Sequence, residues 1–250
     1  MVFDVWIYTI ISVLAVSLIS LIGVITLSIK TQKLKTFLIY MIAFSAGALF
    51  GDAFIHLLPE LVEENGFTLT ISGFTLSGIA LFFATEKIIH WQHCHMPQNK
   101  EHVHPFAIVN LIGDGVHNFI DGLIIGVSYL VSIPVGIATT IAVALHEIPQ
   151  EIGDFGVLLH GGFSKTRALM INFMSALVAV LGAIIALAAD NYIENIQLFL
   201  VPIAIGGFIY IAGSDLIPEL HKEFTLKSSF LQLISFIAGI LVMIALLLLE

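Results

Sequence analysis

Histidines, carboxylates and amides recur at helical spacing in two stretches of the sequence. The first is 110-NLIGDGVHNFIDGLIIG-126, in which Asp114, His117 and Asp121 share one face of a helix. Asn118 lies beside this face. The second stretch is 144-ALHEIPQEIGDF-155, and it presents two adjacent polar rows. One row is His146 with Gln150. The other is Glu147 with Glu151 and, one turn further, Asp154. Imidazole nitrogens and carboxylate or amide oxygens are ligands that divalent metal ions accept.

The surrounding composition makes these polar residues costly. The chain is 58% hydrophobic with a mean hydropathy of +1.05. Only 11% of its residues are charged, against about a quarter in a soluble domain. An ionisable side chain in the middle of a bilayer costs roughly 2.5–3.5 kcal/mol. A hydrogen-bonded network between helices would explain one or two polar residues. Five carboxylates without a lysine or arginine at their level require a cation, and the doubled rows suggest two neighbouring cation positions.

The elements that must position these residues are apolar runs of about 20 residues, the length that a membrane span needs. There are eight, approximately at 5–28, 37–60, 69–90, 106–130, 134–160, 166–189, 196–220 and 229–249. They lack the alternation of a β-barrel. We therefore predict an all-α polytopic membrane protein with eight transmembrane helices and a single domain over residues 1–250.

Two prolines mark the fifth run. Pro134 stands where proline is favourable, at the first position of a helix. Pro149 has no N–H to donate to the helix, so a backbone carbonyl near Ala144 or Leu145 is freed. Within a membrane, that carbonyl needs a partner such as water or an ion.

The basic residues indicate the topology. All nine fall around the loops that follow the first, third, fifth and seventh runs, and they are Lys30, Lys33, Lys35, Lys87, Lys100, Lys165, Arg167, Lys222 and Lys227. Positive residues favour the cytoplasmic side. Both termini are therefore expected to be extracytoplasmic. The longest cytoplasmic loop is then 91-WQHCHMPQNKEHVHP-105, which together with His90 holds five histidines and one cysteine. It is either a loose metal contact or a solvated linker.

Two similar sequence segments suggest an internal repeat. The second run ends in 52-DAFIHLLPEL-61 and the seventh in 215-DLIPEL-220. By the topology above, these ends face opposite sides of the membrane, as in the inverted repeats of secondary transporters. The corresponding arrangement of the eight helices is 3+2+3. Polar residues that could line the route of an ion in or out are His56, Glu60, Asp114, Asp154, Asp215 and Glu219. Packing or capping is the alternative role for those in the second and seventh helices.

The segments 117-HNFIDG-122 and 146-HEIPQEIGDF-155 resemble the paired signatures of helices four and five in the ZIP (Zrt/Irt-like) family of divalent-metal transporters. The resemblance covers the whole chain and points to the branch with a HExPHE-like motif in helix five. It implies a transport site between helices four and five, with helices two and seven completing an inner bundle. By position, it implies one metal site of His117, Asp121, His146 and Gln150. The resemblance also implies a second, adjacent site that would use Asn118 and Glu147, with Glu151 close by. Whether this second site shares Gln150 with the first is left open.

Two departures from the family bear on the metal. The closest branch usually has histidine where this chain has Gln150, and an amide oxygen is a weaker and harder ligand that could relax the preference for zinc towards iron or manganese. Some members also use a glutamate of helix six as a bridge. The corresponding segment here, 172-NFMSALVAVLGA-183, offers no carboxylate, so the second site could be incomplete.

The function expected is transport of divalent metal ions towards the cytoplasm by alternating access, with zinc first and iron, manganese or cadmium as options. No enzymatic activity and no cofactor are expected. The partners expected are the metal ions and the lipid bilayer, with a homodimer as an option and no nucleic acid. The cell membrane is the expected location, and an internal membrane stays open.

Two other functions were weighed. One is an intramembrane zinc-dependent hydrolase, which would need His-Glu-x-x-His on a helix, whereas this chain has Gln150 in place of the second histidine. The other is a proton-coupled carrier of a non-metal substrate, with the carboxylates acting as a proton relay.

Overall fold

The computed structural model describes residues 2–23, 31–93, 105–190, 192, 196–222 and 225–249. Within these ranges the backbone forms helices joined by turns and contains no β-strand, which confirms the all-α fold class. Most of the cytoplasmic loop predicted at 91–105 lies outside the described residues, since these omit residues 94–104.

The described residues form eight consecutive helical segments, named α1 to α8 in chain order. The first four are α1 (Val2–Ser17, continued by a 3-10 turn at Leu18–Ile22), α2 (Thr31–Gly51, a π-helical segment at Asp52–Leu57, and Leu58–Asn65), α3 (Leu69–His93) and α4 (Pro105–Val131). The other four are α5 (Ile133–His160), α6 (Lys165–Ala176 and Val178–Ala189), α7 (Gln197–Tyr210, a π-helical segment at Ile211–Leu216, and Ile217–Leu220) and α8 (Leu226–Leu246).

Six of these spans are long and apolar enough to cross a membrane. They contain Phe3–Ile22, Phe37–Glu63, Leu69–Lys87, Lys165–Ala189, Gln197–Leu220 and Leu226–Leu246. Among the described residues, α4 and α5 fall outside this set. These are the two spans that contain the polar stretches.

The connection between α4 and α5 is very short, so the two polar stretches belong to neighbouring antiparallel helices. Only Ser132 separates the two helices, and its hydroxyl accepts a hydrogen bond of 3.3 Å from the backbone N–H of Val135. Ser132 is thus the N-cap of α5. Pro134 follows in the first turn, one residue later than the helix start at Ile133.

Three pairs of spans cross at reciprocal glycines. A methyl group built on Gly47 of α2 would lie 2.0 Å from the carbonyl oxygen of Phe236 in α8, and one built on Gly239 would lie 2.1 Å from that of Phe44. The same pair of close contacts occurs between α3 and α7, at Gly78 and Gly206. It occurs again between α4 and α6, at Gly122 and Gly182. Only glycine leaves room for backbones this close.

The two similar sequence segments, 52–61 and 215–220, both fall on an irregular part of a helix. In α2 and in α7, a π-helical segment of six residues is followed by a short helix with proline in its first turn, Pro59 in one and Pro218 in the other. The surroundings of the two π segments differ. Asp52 of α2 is buried and accepts a hydrogen bond of 2.9 Å from Thr139 of α5, whereas Asp215 of α7 is exposed.

Candidate metal site

Four side chains from α4 and α5 converge in the interior of the protein. One ligand atom from each of His117, Asp121, His146 and Glu147 lies within 4.8 Å of all the others. The Nε2 atom of His146 is 3.1 Å from Nε2 of His117 and 3.1 Å from Oδ2 of Asp121. Oε1 of Glu147 is 3.5 Å from Nε2 of His117 and 3.4 Å from Nε2 of His146. In the described part of the chain, no other three histidine, cysteine, aspartate or glutamate residues converge in this way.

These four residues, which we call the metal cluster, are shielded from solvent except on one side. Asp121, His146 and Glu147 are each about 1% exposed, while the side chain of His117 is 16% exposed. Both carboxylate oxygens of Asp121 and Oε1 of Glu147 are buried without a hydrogen bond from any described residue. A buried carboxylate without a partner is costly. A cation among these oxygens would offset that cost, and two imidazole nitrogens with two carboxylate oxygens form a donor set that zinc accepts.

The ring of His146 is held in an orientation suited to a metal ligand. Its Nδ1 lies 3.4 Å from the carbonyl oxygen of Ala142, one turn earlier in α5. A carbonyl can only accept, so a proton on Nδ1 would satisfy this contact, and in the neutral ring the lone pair of Nε2 would then be directed into the cluster. Ligating histidines commonly use their second nitrogen in this way.

The carbonyl freed by Pro149 is that of Leu145, and it has a partner. The hydroxyl of Ser45, in α2, donates to the carbonyl oxygen of Leu145 at 2.6 Å. The freed carbonyl expected near Ala144 or Leu145 is therefore that of Leu145, and its partner is a side chain of a neighbouring helix.

The remaining ligands predicted in helices four and five lie beside the cluster. Gln150 lines a cavity next to His117. Asn118 donates from Nδ2 to the backbone carbonyl and to Oδ1 of Asp114, at 3.0 and 2.8 Å. Glu151 is buried and accepts a hydrogen bond from Asn172 of α6. The cluster therefore adds Glu147 to three of the ligands that the family resemblance implies for one site, which are His117, Asp121 and His146.

A polar cavity of about 370 Å³ borders the cluster at His117. It is lined by Glu86, Asn110, Gly113, Asp114, His117, Gln150, Asp154 and Asp215. A smaller cavity of about 100 Å³ shares four of these residues and adds Phe82, Thr85, Ile120 and Tyr210. We call the two together the vestibule. Its walls are four helices, α3, α4, α5 and α7.

Three of the six residues proposed from the sequence for the ion's route line the vestibule, namely Asp114, Asp154 and Asp215. The other three lie elsewhere. The ring of His56 is buried and donates from Nε2 to the carbonyl oxygen of Met243 in α8, at 2.9 Å. Glu60 is half-buried in the short helix that follows the π segment of α2, and Glu219 pairs with the exposed Lys222.

Sequence reasoning did not single out several polar residues of this region. Glu86 of α3 lines both cavities and accepts a hydrogen bond from the hydroxyl of Tyr210 in α7. Asn110 donates to Oδ1 of Asp154 at 2.7 Å. Glu86 carries the same signal that identified the residues of α4 and α5, a carboxylate within an apolar run. Asn172 lies in the very segment of helix six that had been judged only by its lack of a carboxylate.

The sequence also matches a family model described as ZIP zinc transporter, over residues 3–107 and 98–247. Among curated proteins, it is similar to zinc transporter zipt-7.2 of Caenorhabditis elegans, with 28% identity over 95% of this chain and 64% of that protein. Zinc transporter zipt-7.1 of Caenorhabditis briggsae shows 31% identity, with coverages of 75% and 63%. Zinc transporter ZIP13 of Pongo abelii shows 32% identity, with coverages of 82% and 65%. The chain thus spans a little under two thirds of the length of these relatives.

Proposed function

Because this chain belongs to the ZIP zinc transporter family, we propose that it carries divalent metal ions, zinc first among them, across the membrane that holds its helices. It is an integral multi-pass membrane protein, and its family is one of transporters rather than enzymes. The observation that carries the proposal is the buried cluster of two imidazoles and two carboxylates, in which oxygens of Asp121 and Glu147 receive no hydrogen bond from the described part of the chain. The transported ion is the cargo, and no resident cofactor is part of the proposal.

The proposed position of the ion is the metal cluster itself, with His117, Asp121, His146 and Glu147 as ligands. A second position would follow towards the vestibule, with Asn118, Gln150 and Glu151 as its ligands. The hydrogen bonds from Asn118 to Asp114 and from Asn172 to Glu151 support this layer, because they orient oxygen atoms next to the cluster. Gln150 supports it as well, since it lines the vestibule together with His117.

The direction of transport proposed is towards the cytoplasm, with eight spans and both termini extracytoplasmic. The vestibule is lined by late residues of α3, α5 and α7 and by early residues of α4, such as Glu86, Asp154, Asp215 and Asn110. These ends of the helices lead to the loops that carry the basic residues, which favour the cytoplasm. In this conformation, the vestibule is then the way out, and its carboxylates attract the departing cation.

The proposed mechanism is alternating access by a 3+2+3 inverted repeat. Two observations support it. In such a repeat, α2 corresponds to α7 and α3 corresponds to α8. The glycine crossing between α2 and α8 then corresponds to the glycine crossing between α7 and α3. The same correspondence pairs the π segment of α2 with the π segment of α7, and a proline follows each of them. One π segment is packed against α5 through Asp52, and the other exposes Asp215 at the vestibule, as expected when only one side is open.

The way in would pass His56 and Glu60 at the other end of α2. The hydrogen bond between the ring of His56 and the carbonyl oxygen of Met243 joins α2 to α8 in this conformation. We propose that this contact opens when the outer side becomes accessible. His56 would then be free to receive a hydrated ion.

A transport assay with the purified protein tests the function. Proteoliposomes are loaded with a fluorescent chelator, and uptake of zinc is measured alone and in competition with iron(II), manganese(II) and cadmium(II). Saturable zinc uptake that His146→Ala abolishes and His221→Ala leaves intact is the expected result, because His221 is exposed and does not line the vestibule. Uptake that persists unchanged in His146→Ala contradicts the proposed site. Peptide cleavage without metal uptake would favour the hydrolase, and the mass of the detergent-solubilised particle tests the homodimer.

A further inference from the structure

The contact between Ser45 and Leu145 joins two helices at the point where α5 is irregular. Pro149 stands four residues after Leu145 and has no N–H, so α5 itself cannot supply the usual partner for the carbonyl of Leu145. The hydroxyl of Ser45 reaches this oxygen from α2 at 2.6 Å. Ser45 is 0% exposed, so bulk water is excluded from the same position.

The hydroxyl of Ser45 has two acceptors within reach. The second is the carbonyl oxygen of Met41, one turn earlier in α2, at 2.8 Å. Serine commonly bonds back to its own helix in this way, and such a bond gains little because that carbonyl already has a helical partner. The carbonyl of Leu145 lacks this usual helical partner because of Pro149, and it is also the nearer acceptor. A hydroxyl has a single proton to donate, and its use at Leu145 satisfies the group that would otherwise be orphaned.

The carbonyl of Leu145 belongs to the peptide group that leads directly into the metal cluster. The nitrogen of that peptide is the backbone nitrogen of His146, and Glu147 follows. His146 and Glu147 supply two of the four ligand atoms that converge within 4.8 Å. A rotation of this peptide group would therefore move both ligands at once.

We propose that Ser45 is a positioning residue for the metal cluster. Its hydroxyl takes the place of the N–H that Pro149 lacks, fixes the peptide group between Leu145 and His146, and so holds the two α5 ligands at their distances from His117 and Asp121. This inference rests on the proposed function only in taking the cluster as the place where the transported ion binds.

A serine that merely filled space between α2 and α5 would behave differently. Its loss would alter the amount of folded protein or the maximal rate of transport, and the affinity for the ion would stay the same. A positioning role predicts the opposite pattern, because the ligands remain present and are held less well. Changes to groups that orient metal ligands typically weaken metal affinity by about 10–100-fold.

The test uses two substitutions of equal shape in the full-length protein. Ser45→Thr keeps the hydroxyl and Ser45→Val replaces it by a methyl group, so any cost of the extra volume is shared by both. Zinc affinity is measured by titration calorimetry in detergent, and KM and maximal rate in proteoliposomes. We expect the valine variant to bind zinc about tenfold more weakly than the threonine variant, with KM raised in parallel. Equal affinities of the two variants overturn the proposal.

A double-mutant cycle then ties the effect to the proline. Pro149→Ala restores an N–H that can donate to the carbonyl of Leu145, so Ser45→Ala should cost about tenfold in zinc affinity with Pro149 present and no more than about twofold without it. The same loss in both backgrounds contradicts the role of the carbonyl. If Pro149→Ala does not fold, the threonine and valine pair decides alone.

His146→Ala in the same titration separates the two proposals. If His146→Ala loses zinc binding while the Ser45 variants bind normally, only the positioning role fails. If His146→Ala binds zinc as the unaltered protein does, the cluster itself is not the site.

Discussion

The Nε2 atoms of His117 in α4 and His146 in α5 face each other at 3.1 Å. Two imidazole nitrogens bound to one tetrahedral zinc ion, with bonds of about 2.0–2.1 Å, would lie roughly 3.3 Å apart. Neighbouring helices therefore hold the two rings close to the spacing that a shared ion requires. We expect an ion to bind here with little rearrangement of α4 and α5.

Removal of either ring should remove most of the affinity for zinc. His117→Ala and His146→Ala each delete one of the four ligand atoms. Loss of a group that only orients a ligand weakens metal affinity by about 10–100-fold, and we expect each of these two variants to weaken zinc binding by more than that. Titration calorimetry measures this directly. His221→Ala is the matched control, since its ring is exposed and away from the vestibule. Full-affinity binding in either cluster variant would exclude that ring as a ligand.

The carboxylate of Glu86 should speed release of the ion. Glu86 lines both parts of the vestibule and shares it with Asp215, so on the proposed route its charge would act on a cation that has left the cluster. We expect Glu86→Gln to lower the maximal rate of zinc transport about threefold, or roughly 0.7 kcal/mol, with unchanged equilibrium affinity at the cluster. Asp190→Asn is the control, because Asp190 is exposed in the turn after α6. An unchanged rate in Glu86→Gln would remove Glu86 from the route.

How much of this site could be anticipated depends on how local its signals are. The apolar runs, the helical spacing within α4 and α5, and the carbonyl freed by Pro149 are properties of short segments, and each was predicted. The choice between Glu147 and Gln150 is different. Gln150 lies about 40° around a helix from His146, whereas Glu147 lies about 100° away, so spacing alone favours Gln150. The rotation of α5 against α4, which is set by packing between helices, brings Glu147 within reach of the other three ligand atoms.

The vestibule shows the same limit at longer range. Glu86 and Asp215 are far apart in sequence, and they share a cavity because α3 and α7 cross at Gly78 and Gly206. No pattern within either run specifies that crossing partner. Only the assembled fold says which backbones these glycines admit.

The open side of the protein can be tested by labelling. In a Cys94→Ala background, we expect Gln150→Cys to react with a membrane-impermeant thiol reagent applied to the cytoplasmic side, because Gln150 lines the vestibule. Zinc should slow the reaction by occupying the neighbouring cluster. Thr139→Cys is the control, since Thr139 is fully buried beside Asp52 and should stay unlabelled. Labelling of Gln150→Cys only from the other side would reverse the proposed orientation.

The glycine crossing of α4 with α6 should be intolerant of even one methyl group. A Cβ at Gly122 would lie 1.9 Å from the carbonyl oxygen of Ala179, so the helices must separate. Overpacking of this kind costs about 1–3 kcal/mol, and we expect Gly122→Ala to lower the temperature of thermal unfolding in detergent. Gly73→Ala is the control, because no atom lies within 4 Å of a Cβ built there. Equal unfolding temperatures for the two variants would contradict the close crossing.

Metal preference should respond to position 150. Gln150 lines the vestibule beside His117, on the proposed route of the ion between the cluster and the cytoplasm. An imidazole is a softer ligand than an amide oxygen and favours zinc over manganese. We therefore expect Gln150→His to raise the ratio of zinc to manganese uptake by about threefold or more in a competition assay. Gln150→Asn, which keeps an amide, should leave the ratio close to that of the unaltered protein. If both variants preserve the ratio, position 150 does not contact the ion, and the metal cluster alone sets the preference.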